Sequence, residues 1–451
     1  MRMFDLNSKA EYIGLWYIDE YPDCILYGTL YIEKESIYID LYFQNIKEII
    51  PEELKELHGN ACYIDKQNGR EKQTFLSLKD LSLKSCNLFI GSGLKHYKYE
   101  VKEVYFSDNN INYELIKEVC LRIPILDEWM YGIMDNTFNN IEACSNPKEI
   151  TSLNPLPHYN LYESSDLDIL IYFNPTSYYG SISHIIKQKT FISCKFKNER
   201  TFEDVKDEIN KYLYLLYLLL NREFYIEYTI FTTTTGSFTH KTNPKFSYLH
   251  FYENSQTGPH SRFSDFTLSE IQSIFNKWDI LYNEQTDAIN LYYETICNTY
   301  LPPSSQIRNY ISFIDSVTKS IQGDILQINP NTKRAKSAQK ILEKTKEILN
   351  EDEQNRLKIL LLRINPMELK SRFTKLISNI KDLLPNDITK EFIQKVVDTR
   401  NEITHHNTKE TFIFNKSEYD EVAYKLTQII RAYLLNKLNI NKDLIKNFVK
   451  Y

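Results

Sequence analysis

Residues 267–284 read TLSEIQSIFNKWDILYNE. Leu268, Ile271, Ile274, Phe275, Trp278 and Leu281 recur at steps of three and four, the period of an amphipathic helix. Thr267 with Glu270 three residues on has the form of a capping box, so the helix starts here. The stretch is a divide. Before it the apolar residues follow strand patterns, and after it they follow helical ones. The fold class that results is α+β, a β-rich and sandwich-like N-terminal domain followed by an all-α helical bundle.

Outward toward the N-terminus, CILYGTLYIEKESIYIDLYF (24–43) is rich in Tyr and Ile and alternates locally, as at Ile37, Ile39, Leu41 and Phe43. KYEVKEVYFS (98–107), LDILIYF (167–173), TFISCKFK (190–197) and FYIEYTIFTTTT (224–235) read the same way. Short strands between polar turns predict a sandwich or a curved sheet. One helix interrupts them, near 203–221. Its run YLYLLYLLL (212–220) is apolar all round, which fits burial and is too short to span a bilayer, for which about 20 residues are needed. Trp16 and Trp129 read as core, GSG (91–93) as a turn. His240, His250 and His260 fall ten apart on turn-rich sequence, a poor spacing for a metal site.

Outward toward the C-terminus, YLPPSS (300–305) breaks the helical series and marks a boundary. Amphipathic helices are predicted near 306–322, 336–349 and 353–363. Asn365 is placed as the N-cap and Pro366 as the first residue of the next helix, with Leu369, Phe373, Leu376, Ile377, Ile380 and Leu384 as its apolar stripe. LPND (384–387) ends it, and Asn386 or Asp387 is expected to cap the helix that follows. A last helix is predicted over 418–437. The resulting domains are 1–265 (β-rich), 266–301 (a connecting helix) and 302–451 (the bundle).

Charge is divided along these lines. Residues 302–451 carry 26 Lys and Arg against 18 Asp and Glu, a net of +8, on a chain whose total is −6. A basic bundle on an acidic chain points to a polyanionic partner for the bundle. The seven cysteines are scattered without a C-x-x-C pair, which argues against a zinc ribbon or a disulfide framework and for reduced thiols in the cytoplasm. The first residues, MRMFDLNSKAEYIG, contain no apolar core of a secretory signal, so a cytoplasmic protein without membrane partners is expected.

The chemistry concentrates at DTRNEITHHN (398–407). Phe392, Ile393, Val396, Val397 and Ile403 predict the buried stripe of a helix, and Arg400 falls on that stripe, four residues after Val396. A guanidinium without compensation there costs several kcal/mol. Either a carboxylate partners it or the stripe opens at that level into a cleft or a subunit interface. Asn401 and His405 share a face, and a helix C-terminus favours protonated imidazole at His405. Arg, Asn and His together suit phosphodiester chemistry. A histidine can take a proton from a ribose 2′-OH or give one to the leaving 5′-oxygen, and a guanidinium can hold the phosphate bidentately. No metal or other cofactor is required, and no carboxylate cluster suited to two metals stands out. One helix supplies one such histidine with assurance, so a twofold homodimer with a composite site is expected.

TRNEITHH (399–406) resembles the RNxxxH form of the HEPN-domain motif, written more generally R-x4-6-H. Arg400, Asn401 and His405 match it, and His406 gives the six-residue spacing. The resemblance implies a helical bundle and, in many members, a metal-independent endoribonuclease acting as a dimer. YIGLWYIDEYPDCILYGTLYIE (12–33), with its Gly-x-Trp…Gly-x-Leu pattern, and FTLSEIQSIFNKWDILYNE (266–284) are similar to the corresponding parts of the ApeA-like anti-phage family. The chain departs from that family in QIRNYISFIDSVTKSIQG (306–323). Relatives often carry a glutamate there, and here its place holds Lys319, with Asp315 one turn earlier. If that acid pairs with the motif arginine, Asp315 substitutes for it or Arg400 is held differently.

Two functions are thus in competition. One is an RNA endonuclease of abortive-infection defence, whose N-terminal domain senses a phage-derived trigger or restrains the nuclease. The other is a non-catalytic RNA- or protein-binding module in which Arg400 and His405 hold a dimer or the core together.

Overall fold

The computed structural model of the chain describes residues 10–33, 36–44, 54–64, 71–88, 94–107, 115–130, 158–179, 184–222, 224–242, 261–298, 300–320, 333–346, 348–362, 369–405 and 413–449. Two compact units divide at Asn276 and Lys277, inside a helix of the series that TLSEIQSIFNKWDILYNE begins.

In the first unit the strands are β1 (Ala10–Ile18), β2 (Tyr21–Ile32), β3 (Ile37–Gln44), β4 (Glu56–Ile64), β5 (Glu71–Leu88) and β6 (Leu94–Ser107), then β7 (Ile116–Arg122), β8 (His158–Glu163), β9 (Leu167–Tyr179), β10 (His184–Arg200), β11 (Tyr228–Thr233) and β12 (Ser237–Thr242). They are antiparallel neighbours in the order β3-β2-β1-β4-β5-β6-β12-β11-β7-β10-β9-β8, and β3 also pairs with β6. That last pairing closes six strands into a barrel and removes the edge at β3, while β8 remains the edge strand at the other end of the sheet. Strand β6 is the seam. It pairs with β3 over residues 94–100 and with β12 over residues 103–107, and thereby passes from barrel to sheet.

Alternation fills the barrel. Tyr12, Trp16, Leu26, Leu30, Ile37, Ile39, Leu41, Leu57, Leu76, Tyr99 and Val101 are all buried inside it. The Gly-x-Trp…Gly-x-Leu pattern has a steric basis here. Gly14 faces Gly28 across β1 and β2, and the Trp16 indole N–H donates to the Gly28 carbonyl at 3.2 Å. Gly59 on β4 lies against the same ring, where a Cβ would come within 2.6 Å of Trp16 Cε3 and 2.7 Å of the Leu15 carbonyl oxygen. Backbone cannot yield there as a flexible side chain would. Gly59→Ala is expected to destabilise the barrel by about 2 kcal/mol, read as a lower urea midpoint; an unchanged midpoint would show that the strands part freely.

Helices α1 (Ile125–Trp129) and α2 (Phe202–Leu220) complete the unit. Thr201 caps α2 by accepting from the Asp204 N–H, and Asn221 ends it in the left-handed conformation. Leu215 to Leu220 are all buried, as an all-round apolar helix requires. Trp129 is fully buried, and its N–H donates to Ser261 Oγ at 3.3 Å. His240 stacks on Tyr105, and burial lowers its imidazole to about 4; His250 and His260 lie outside the described residues. Among the described residues no helix is long and apolar enough to cross a membrane.

Among its described residues the second unit has helices and their connections, and no strand. Its elements are α3 (Leu268–Glu284, begun in the first unit), α4 (Thr286–Cys297), α5 (Pro303–Ser320), α6 (Lys333–Thr345), α7 (Glu351–Leu362), α8 (Leu369–Ile380), α9 (Lys390–His405), α10 (Tyr419–Lys437) and α11 (Lys442–Val449). The segment 266–301 thus holds two helices. The capping box forms as expected, since the Thr267 N–H donates to Glu270 at 2.7 Å and the Glu270 N–H to Thr267 Oγ1 at 3.2 Å. Asn365 and Pro366 lie outside the described residues. Helix α5 packs on α4, α8, α9 and α10 and so forms the hub of the bundle. Tyr292, Phe313 and Tyr433 meet at its centre.

Candidate functional site

Helix α9 carries the motif, and its start corrects the expected cap. Thr389, rather than Asn386 or Asp387, accepts from the Phe392 N–H at 3.1 Å and begins the helix at Lys390. Asp387 has other work. Its carboxylate meets Lys425 of α10 at 2.7 Å, and this bond, with a second from Glu421, raises the Lys425 ammonium above the usual lysine value.

The buried stripe of α9 also runs differently from expectation. Phe392, Ile393, Val396 and Val397 are buried, but the next inward place belongs to Thr399, which is fully buried. Its hydroxyl donates to the Lys395 carbonyl at 2.7 Å and accepts from the Phe414 N–H at 3.0 Å, which makes a threonine tolerable in the core. Arg400 stands about 100° further round and is half-buried. Ile403 is half-buried as well. The arginine is therefore at the margin of the stripe, where the bundle opens.

What it opens into is a cavity of about 770 Å³ between α5, α8 and α9. Asp315, Ser316 and Lys319 line it from α5, Leu369 and Lys370 from α8, and Gln394, Val397, Asp398, Arg400 and Asn401 from α9. Positions 394, 397, 398 and 401 are separated by three and four residues and so form one face of α9, the face toward the cavity. His405, the last residue of the helix, continues that row by its backbone position, four beyond Asn401. His406 lies outside the described residues.

Arg400 is held by its neighbour. Its Nη1 donates to Asn401 Oδ1 at 3.3 Å, and its buried Nε has no hydrogen-bond partner among the described residues. Asp315 does not substitute as its partner. That carboxylate is taken by Arg372 of α8 and by Lys319 one turn along α5. Of the two alternatives posed by the sequence, Arg400 is the one held differently. Arg400 lines the open cavity without a carboxylate partner among the described residues, an arrangement that suits an incoming anion.

Three residues of this site escaped the reading of the sequence. Arg372 is 5% exposed, and its Nε and Nη1 are buried without a hydrogen-bond partner among the described residues. It falls three residues after Leu369 and four before Leu376, so the test that singled out Arg400 finds it too. Gln394 and Asp398 carry no such sign, because a polar residue on the outer face of a helix is unremarked until the helix is seen to border a cavity. Gln394 Nε2 donates to both Asp398 carboxylate oxygens at 2.6 Å.

A family model described as ApeA N-terminal domain 1 matches residues 11–278, and one described as Apea-like HEPN matches residues 308–444. The first alone covers more than half of the chain, and the second contains every residue of the cavity wall named above. No curated protein and no solved structure matches the chain.

Proposed function

We propose, from the premise that this chain belongs to the ApeA family of anti-phage proteins with a C-terminal HEPN domain, that it is an RNA endonuclease of abortive-infection defence. The observation that carries this reading is the pairing of Arg400 and Asn401 on one wall of an open cavity in a basic helical domain.

In the proposed reaction Arg400 holds the scissile phosphate and offsets the charge that builds on its oxygens. Asn401 braces the guanidinium, as its 3.3 Å bond to Nη1 allows. One His405 accepts the ribose 2′-OH proton while the 2′-oxygen attacks phosphorus. A second His405, from the other copy in a homodimer, protonates the leaving 5′-oxygen. The 2′-O–P bond forms, the P–O5′ bond breaks, and the products are a 2′,3′-cyclic phosphate and a 5′-hydroxyl. The N-terminal barrel and sheet serve as the sensor for a phage-derived trigger.

The test is incubation of the full chain with total RNA and extract from phage-infected cells, in excess chelator. Cleavage leaving 2′,3′-cyclic phosphate ends is expected. Fragments bearing 3′-hydroxyl and 5′-phosphate ends, or cleavage abolished by the chelator, would require a different chemistry.

A further inference from the structure

We propose that the cavity beside Arg400 holds two consecutive phosphates of a single RNA strand, one at Arg400 and its neighbour at Lys370. The inference rests on the reading of this cavity as an RNA site and adds to it the residue that engages the strand beside the point of cleavage.

Each of the three helices around the cavity brings one cation to its wall: Lys319 from α5, Lys370 from α8 and Arg400 from α9. They are not equivalent, because the acids of the site are unevenly matched to them. Asp315 engages Lys319 and also Arg372, so the charge of Lys319 is spent within the protein. Asp398, the other acid of the wall, is clasped by the Gln394 amide instead of by a cation. Lys370 and Arg400 are thus the two cations of the wall without a carboxylate partner among the described residues. With Arg372 included, four cations stand against two acids, a balance that favours a polyanion.

The two differ in kind. Arg400 is half-buried and braced by Asn401, which suits a phosphate held still for reaction. Lys370 is exposed on the first turn of α8, where the helix dipole adds partial positive charge. An ammonium on a flexible stem acts as a point charge, which suits a phosphate that is held but not transformed.

The cavity has room for both. Its volume of about 770 Å³ far exceeds what one phosphate needs and lies within the range of pockets that enclose small organic ligands. A nucleotide between two phosphates fits such a space, and a duplex does not. Asp398 sets the course of the strand. Its charge repels a phosphate from the part of the α9 wall that precedes Arg400, so the neighbouring phosphate is directed toward α8.

Strands that cannot be cut read binding alone. The test titrates the full chain calorimetrically with two 2′-O-methyl adenosine oligonucleotides without terminal phosphates, a dinucleotide with one phosphate and a trinucleotide with two. The trinucleotide is expected to bind about tenfold more tightly, well beyond the factor of two that its two registers give by counting. Its affinity should also fall more steeply with salt, by about 0.7 in the logarithmic slope for the extra phosphate. Lys370→Ala should reduce the gain to that statistical factor, remove the extra slope and leave the dinucleotide affinity as it was, while Lys370→Arg keeps the gain. Lys375→Ala, on the same helix but outside the cavity wall, should change neither affinity. A wild-type gain no larger than the statistical factor, a gain that survives Lys370→Ala, or an equal loss of both ligands in that variant would overturn the proposal. Binding requires no cleavage, so the two readings fail separately. A chain that gains from the second phosphate but never cuts RNA keeps the two-phosphate site and loses the nuclease; one that cuts RNA without the gain does the reverse.

Discussion

Replacing His405 with alanine is expected to lower RNA cleavage by about a thousandfold, within the range for loss of a general acid or base. His406→Ala should change it by less than about threefold. The distinction comes from helix phase. Gln394, Asp398 and Asn401 form the row of α9 that lines the cavity, and position 405 is the next place in that row. Position 406 is turned a further 100° if the helix is continued. In a homodimer His405→Ala removes both the acid and the base from each composite site, so about a thousandfold is the smallest loss expected. Single-turnover rates on a labelled RNA, with both variants shown to keep the molar mass of the wild type, give the comparison. A loss confined to His406→Ala would move the catalytic row off this face of the helix.

The second large effect is on stability. Asp315→Ala is expected to destabilise the helical unit by about 3 kcal/mol, because removing one member of a buried ion pair strands the other. Here the stranded group would be Arg372, which is 5% exposed and already has two N–H groups unpartnered among the described residues. The converse change should cost less. Arg372→Met leaves Asp315 with Lys319 and with water, since its side chain is 26% exposed. Lys319→Ala, at a 58% exposed side chain, should cost no more than about 1 kcal/mol. Urea unfolding followed by far-ultraviolet circular dichroism, which weights the helical unit, orders the three variants. Arg372→Met proving the most damaging would mean that the arginine, not the acid, is the keystone of this wall.

The sequence was most legible where periodicity alone decides. The change from strand patterns to a 3.6-residue repeat near Thr267 placed the helical series, and the capping box at Thr267 and Glu270 formed as read. The barrel was less legible. Its closure depends on β3 pairing with β6 across the intervening residues 45–93, and on β6 changing partner midway. Neither is encoded in a local pattern. The cap of α9 was misplaced because Asn386, Asp387 and Thr389 all have capping side chains, and only the tertiary bond from Lys425 to Asp387 shows which are otherwise engaged.

The site divides similarly. Arg400 announced itself as a cation near an apolar stripe, but the stripe itself was read one place off. Counting by threes and fours from Phe392 and Val396 reaches both Thr399 and Arg400. Only the hydrogen bonds that accommodate Thr399 in the core show which of the two turns inward. The partner of Arg400 could not be read at all, because whether Asp315 meets Arg372 or Arg400 depends on how α5, α8 and α9 pack. Arg372 was readable by the same rule as Arg400. Gln394 and Asp398 were not, since only the cavity gives their face of the helix a meaning.

The most direct measurement is RNA cleavage by the folded Arg400→Ala protein beside the wild type, in chelator and with extract from infected cells. Arg400 is half-buried at the cavity edge with a single side-chain hydrogen bond, so its loss should leave the fold intact. The predicted result is cleavage by the wild type and a fall of about a hundredfold or more in the variant. A folded Arg400→Ala protein that cleaves at the wild-type rate would contradict the assignment of this cavity as the phosphate site.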